Sequence, residues 1–166
     1  MYKWIGTVLI LIASSGIGIS KAQELKKHLE ELEEIKKLFY LLRGELLYTH
    51  APFEEVFEKI GQKSYGIYRL WLEQLSVHLR EKRTGSFWEM WCESIQIYLL
   101  ESRLKSEEKQ DLQSVGKNLE YIESIDLYIE QLEYKIKQTR EVYQTKIKLC
   151  RNMGIMGGIF LVILLL

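Results

Sequence analysis

Three histidines, two cysteines and many carboxylates are the groups that could do chemistry in this 166-residue chain. His28, His50 and His78 are far apart in sequence, and none follows a glutamate by three positions. The Glu-x-x-His pattern of di-iron bundles is therefore absent, as is the H-E-x-x-H pattern of zinc hydrolases. Cys92 and Cys150 are too few for a metal cluster, and Cys92 sits in Trp91-Cys92-Glu93 with the character of a packed, inert thiol. A G-x-x-x-x-G-K-S/T loop for nucleotide phosphates is also missing. The carboxylates alternate with lysines, as on solvated helix faces. The expectation is a protein that is not an enzyme and carries no cofactor or metal. A membrane-anchored sensor or enzyme with an unrecognised site is the alternative.

Binding is the chemistry that remains. Glu45, Glu54 and Glu55 crowd one stretch with negative charge, and Tyr48, His50 and Phe53 add amphipathic contact area there. Arg80, Lys82 and Arg83 form a basic stretch that could meet an acidic partner. Each set has a plainer reading. Glutamates in a first helical turn stabilise that helix unaided, and a basic loop is usually solvated. Lys+Arg and Asp+Glu each number 23, so no basic surplus points to nucleic acid.

These residues need helices to position them. One proline and 11 glycines leave few turn signals, and no strand alternation is visible. Leu25, Leu29, Leu32, Ile35, Leu38, Phe39, Leu42 and Leu46 form one apolar stripe, closed at Thr49-His50-Ala51-Pro52. Pro52 suits the first turn of a second helix with Phe53, Val56, Phe57 and Ile60 inward, which Gly61 would end. A third helix carries Ile67, Leu70, Trp71, Leu75 and Leu79. Ser86 and Glu89 fit a capping box for a fourth, with Trp88, Trp91, Ile95, Tyr98 and Leu99 inward. Ser106 opens a fifth, burying Leu112 and Val115. Helix then runs from Lys117 to Arg151, with the near-heptad stripe Ile122, Ile125, Ile129, Leu132, Ile136, Tyr143 and Ile147. Its natural partner, as in a coiled coil, is the antiparallel Leu25–Leu46 stretch. The predicted fold is all-α: a cytoplasmic bundle of about six helices between two short transmembrane helices. Its core should include Leu32, Phe39, Phe57, Trp71, Trp91 and Ile129.

The two ends differ from this middle. Every acidic residue, and every basic residue except Lys3, lies between Lys21 and Arg151. Trp4 to Ile19 and Met153 to Leu166 carry no charge. Both are shorter than the roughly 20 apolar residues a bilayer crossing takes. The first could be a membrane anchor, a cleaved signal peptide ending near Ser20-Lys21-Ala22, or a buried helix. The charges decide in favour of the anchor. Lys21, Lys26 and Lys27 flank one end, and Arg140, Lys146, Lys148 and Arg151 the other, so both place the middle in the cytoplasm. The expected layout is a transmembrane helix over 1–20, a cytoplasmic bundle over 21–151 and a transmembrane helix over 152–166. Ser14 with Gly18, and Gly154 with Gly158, make small-x-x-x-small steps suited to membrane-helix packing, within the chain or in a homo-oligomer.

Several stretches carry a family resemblance. Leu42-Arg43-Gly44-Glu45-Leu46-Leu47-Tyr48 leads to Ala51-Pro52-Phe53-Glu54-Glu55-Val56. Leu112-Gln113-Ser114-Val115-Gly116-Lys117-Asn118-Leu119 follows. The chain closes on Met153-Gly154-Ile155-Met156-Gly157-Gly158 and Leu161-Val162-Ile163-Leu164-Leu165. In this order the sequence resembles the stage III sporulation protein AB family along its whole length. It departs where Ala51 replaces the helix-capping threonine, and where Leu119-Glu120-Tyr121-Ile122-Glu123 replaces a Gly- and Asp-containing break.

The resemblance implies a subunit of the channel complex between mother cell and forespore. Its cytoplasmic domain would be similar to the F-type platform protein of type II secretion. It implies a location in the mother-cell membrane, with the lipid bilayer, the other channel subunits and a cytoplasmic secretion-type ATPase as partners. The Tyr48–Glu55 turn, at the end of the first helix away from the membrane, is the expected docking point for that ATPase.

Overall fold

The computed structural model describes residues 2–49, 51–81 and 85–165; the side chains of 2–19, 21, 150, 151, 153–155 and 157–165 lie outside the description. The elements are α1 (Tyr2–Tyr48), α2 (Phe53–Gln62), α3 (Gly66–Arg80), α4 (Phe87–Tyr98), α5 (Ser106–Val115), a 3-10 turn (Gly116–Asn118) and α6 (Ile122–Leu165). No strand occurs among the described residues.

The chain forms two compact units. Glu30–Lys135 is one, and Met1–Leu29 with Ile136–Leu166 is the other. This division by packing falls inside α1 and α6, and the expected membrane boundaries near 20 and 152 do not depend on it. The two apolar ends are helical, but nearly all of their side chains lie outside the description. Among the described residues no helix is long and apolar enough to cross a membrane.

In the 30–135 unit, α1 buries Leu32, Ile35, Leu38, Phe39 and Leu42, the stripe read from the sequence. Each such side chain contributes roughly 1.5–3 kcal/mol on leaving water. The helix closes where the Thr49 N–H and hydroxyl both donate to the Glu45 carbonyl, at 2.9 and 2.7 Å. α6 lies antiparallel to α1 in this unit. Arg43 meets Asp126 (2.5 Å), and further back along α1 Lys36 reaches Glu133 (3.7 Å). The Phe39 and Tyr128 rings meet between them, 4.5 Å apart.

A cluster of rings joins α2, α3 and α4. Trp71 and Trp91 are 5.1 Å apart, and Phe57 lies 5.8 Å from Trp91. Both indole N–H groups are satisfied, Trp71 by Ser94 Oγ (2.9 Å) and Trp91 by the Leu112 carbonyl (2.8 Å). About 10 Å³ of void remains between Leu38, Phe39, Phe57, Trp71 and Trp91, at the lower limit for one water and without polar lining. The six expected core residues, Leu32, Phe39, Phe57, Trp71, Trp91 and Ile129, are all buried.

Several local expectations change. Pro52 is the N-cap of α2, in extended backbone, and not a first-turn residue. Gly61 does not end α2, which runs to Gln62; it lies against α3, where a Cβ would stand 3.3 Å from Glu73 Cγ. On α3 the buried face is Tyr68, Trp71, Leu72, Leu75 and Ser76, while Leu70 is exposed. The rotation has a polar cause: the Tyr68 hydroxyl donates to Glu31 and Ser76 Oγ to the Glu73 carbonyl, so both can be buried. Gly66 starts α3 at φ +58°, which favours glycine.

On α4 the Ser86–Glu89 capping box is present, but Trp88 faces solvent, with Lys117 Nζ 4.9 Å from its ring centroid. α5 opens at Ser106 as expected, with Lys105 as its N-cap. The expected continuous helix from Lys117 is broken. Residues 116–118 form the 3-10 turn and α6 begins at Ile122, with the Tyr121 N–H donating to the Asn118 carbonyl. Ile125, Ile129, Leu132 and Ile136 are buried as the stripe requires, but Ile147 is exposed.

Candidate functional site

The predicted docking residues start where α1 ends and α2 begins. Glu45 is not free for a partner. Its carboxylate meets Lys59 at 2.6 Å and Lys63 at 4.0 Å, with 13% of the side chain exposed. Phe53 is likewise drawn inward, its ring 5.0 Å from Phe87 and 5.8 Å from Phe57. Tyr48 is the opposite case at 86% exposed. Glu54 is half-buried and Glu55 exposed, both in the first turn of α2. The cap missing at Ala51 is not replaced by a side chain on α2; the Ala51 N–H points back to Thr49 Oγ1 at 3.4 Å. The surface that remains here is Tyr48 with Glu54 and Glu55.

Arg80, from the basic stretch, pairs with Glu58 of α2 at 2.5 Å. With both side chains about half exposed, the pair ties α2 to α3 weakly. His50, Lys82 and Arg83 lie outside the described residues. So do the side chains of Ser14, Gly18, Gly154 and Gly158, whose backbone is helical.

Some glutamates that the sequence assigned to solvated faces are structural. Glu31 accepts from the Tyr68 hydroxyl (3.1 Å) and from the Arg103 N–H (2.8 Å), joining α1, α3 and the α4–α5 connection. Glu108 is buried and accepts from the Lys105 N–H at 2.7 Å. The only sequence cue was the position of each glutamate beside an apolar stripe. Burial, followed by the Glu31 carboxylate, raises the Tyr68 phenol above its ordinary range. Burial also pushes the Cys92 thiol up against the opposing pull of Lys117, away from the thiolate a nucleophile needs. Among the described residues no group of His, Cys, Asp and Glu gathers to hold a metal ion.

Among the described residues no fully buried side-chain polar atom lacks a hydrogen-bond partner. The profile of the stage III sporulation protein AB family matches residues 3–166. The chain belongs to that family. It is a stage III sporulation protein, and its whole length is of the family's type. Neither a curated protein nor a solved structure matches it. In this chain the 3-10 turn and residues 119–121 separate α5 from α6.

Proposed function

We propose that this protein is a non-enzymatic membrane platform of the channel between mother cell and forespore, coupling a secretion-type ATPase to the membrane subunits. It sits in the mother-cell membrane by the apolar ends of α1 and α6, with residues 21–151 cytoplasmic. The observation that carries the reading is family membership over residues 3–166, which takes in both apolar ends and the bundle. The cationic flanks support the orientation, since Lys21, Lys26 and Lys27 on one side and Lys146, Lys148 and Arg151 on the other belong with the cytoplasmic segment. A bundle that satisfies its buried polar groups internally suits a scaffold. The Tyr48, Glu54 and Glu55 surface is its docking point for the ATPase.

The test is affinity purification of the tagged full-length chain from sporulating cells in mild detergent. The ATPase and other channel subunits should co-purify. Recovery of the protein alone, from cells in which the channel has assembled, would overturn the reading.

A further inference from the structure

An open cleft of about 250 Å³ lies between α5, the 3-10 turn and α6. Ser114 and Asn118 line one wall, Ser124 and Gln131 the other, with Asp111 beside them. Val115 and Leu127 give it apolar surface. Tyr128 also lines it and is 5% exposed. Among the described residues the Tyr128 hydroxyl has no hydrogen-bond partner. No fully buried side-chain polar atom among the described residues is left unsatisfied, so the hydroxyl is the part of this residue that the cleft exposes. A phenol that is otherwise buried but opens its hydroxyl to a cleft is placed to exchange hydrogen bonds with a ligand.

The charges around the cleft select a ligand. Asp111 is paired with Lys135 across the cleft's edge, and Glu108 adds a second carboxylate nearby. Burial, and after it the fields of Asp111 and Glu108, hold the Tyr128 phenol above its ordinary range. The two carboxylates beside the hydroxyl disfavour an anionic ligand there. The uncharged lining groups offer acceptor oxygens in several directions. A planar cation with five donors and apolar faces matches them better than a compact ammonium, which holds its hydration shell more tightly.

We propose that this cleft receives the guanidinium of an arginine presented by a protein partner, with the Tyr128 hydroxyl and the Gln131 carbonyl accepting its N–H groups. The stem lies against Val115 and Leu127. The site is separate from Tyr48, Glu54 and Glu55 and does not depend on what docks there.

The test uses the full-length protein in detergent micelles with labelled Leu and Val methyl groups. It is titrated at low salt with acetyl-Gly-Arg-Gly-amide, with the Lys, Gln and Glu counterparts, and with guanidinium ion. The Arg peptide should shift the Leu127 and Val115 methyls saturably, with a Kd of about 1 mM. The Lys peptide should bind at least about threefold more weakly, and the Gln and Glu peptides should give no saturable shift. Tyr128→Phe, which keeps the ring, should weaken the Arg peptide about fivefold. Gln131→Ala, at an exposed position, should weaken it with helicity unchanged. Equal binding of the Gln or Glu peptide, absence of a saturable shift with the Arg peptide, or native affinity in both variants would overturn the proposal. Saturation by guanidinium ion with no response to the peptide would overturn its polypeptide source.

Discussion

The Trp91 indole fills the space that any side chain on Gly116 would need: a Cβ there would stand 2.2 Å from Trp91 Cδ1 and 2.4 Å from Nε1. The same indole N–H is anchored on the Leu112 carbonyl, so the ring cannot swing away without losing that bond. Gly116→Ala should therefore destabilise the bundle by about 1–3 kcal/mol through overpacking. Trp91→Ala should cost about 3–5 kcal/mol by leaving a cavity. In a Trp91→Leu background the Gly116→Ala cost should shrink, since the two positions share one space. Denaturant titrations of the four proteins measure this. An additive cycle would show that the two residues do not compete.

The contacts between α1 and α6 should differ sharply in worth. Arg43 and Asp126 meet at 2.5 Å, but 39% and 47% of their side chains are exposed. Asp126→Asn should change stability by less than about 1 kcal/mol. Phe39 is 2% exposed and packs on Tyr128, so Phe39→Ala should cost about 3–5 kcal/mol. Thermal unfolding in detergent, followed by helix signal, ranks the two.

Alkali should unfold the protein through its buried phenols. Tyr68 and Tyr128 both have pKa values raised above 10.0 by burial. Above about pH 10 the unfolded chain loses these protons while the folded chain keeps them. Stability is then complete below pH 10 and falls as pH rises, by about 1.4 kcal/mol per pH unit for each phenol. Tyr68→Phe should make that decline shallower. An unchanged slope between about pH 10 and pH 11 in the variant would show that Tyr68 ionises freely in the folded state.

The docking surface separates two kinds of glutamate. Glu54→Lys with Glu55→Lys should abolish co-purification of the ATPase and leave helicity intact, because neither residue forms an ion pair among the described residues. Glu45→Lys should instead lower stability by about 1 kcal/mol or more, by placing a third cation beside Lys59 and Lys63. Retention of the ATPase by the double variant at moderate salt would move docking to the basic stretch that starts at Arg80.

Membrane orientation is checked at Leu100, which is 74% exposed. With Cys92 and Cys150 replaced, a Leu100→Cys variant should resist an impermeant thiol reagent in intact cells and react after lysis. Labelling of intact cells would reverse the proposed topology.

The sequence was most legible where burial is purely apolar. Leu32, Phe39, Phe57, Trp71, Trp91 and Ile129 could be chosen by period alone, and Ser86 with Glu89 by capping chemistry. It misled where a polar residue is buried with a local partner. Tyr68 and Ser76 turn the inward face of α3 because Glu31 and the Glu73 carbonyl receive their hydroxyls. Sequence periodicity counts such residues as outward and selects Leu70. Glu45 misled in the opposite sense, since its partners Lys59 and Lys63 come from the next helix and its C-cap. The cleft at Tyr128 was also invisible, because it depends on a break before Ile122 that unbroken helix periodicity conceals.

The pairing of α1 with α6 sets the order in which the chain can assemble. The ring cluster closes over short distances, since Trp71 and Ser94 are 23 positions apart and Trp91 and Leu112 are 21. Tyr40 and Glu133 are 93 apart. Two doublings of loop length cost roughly 1.2 kcal/mol more in closure entropy, and contacts between distant positions form later. On the ribosome α1 emerges first, yet its apolar face is completed only when α6 has been made. Leu38, Phe39 and Leu42 must wait through the synthesis of α2 to α5. A nascent chain stalled before Ile122 would thus present a sticky α1 to chaperones, and one extended past Glu133 would hide it.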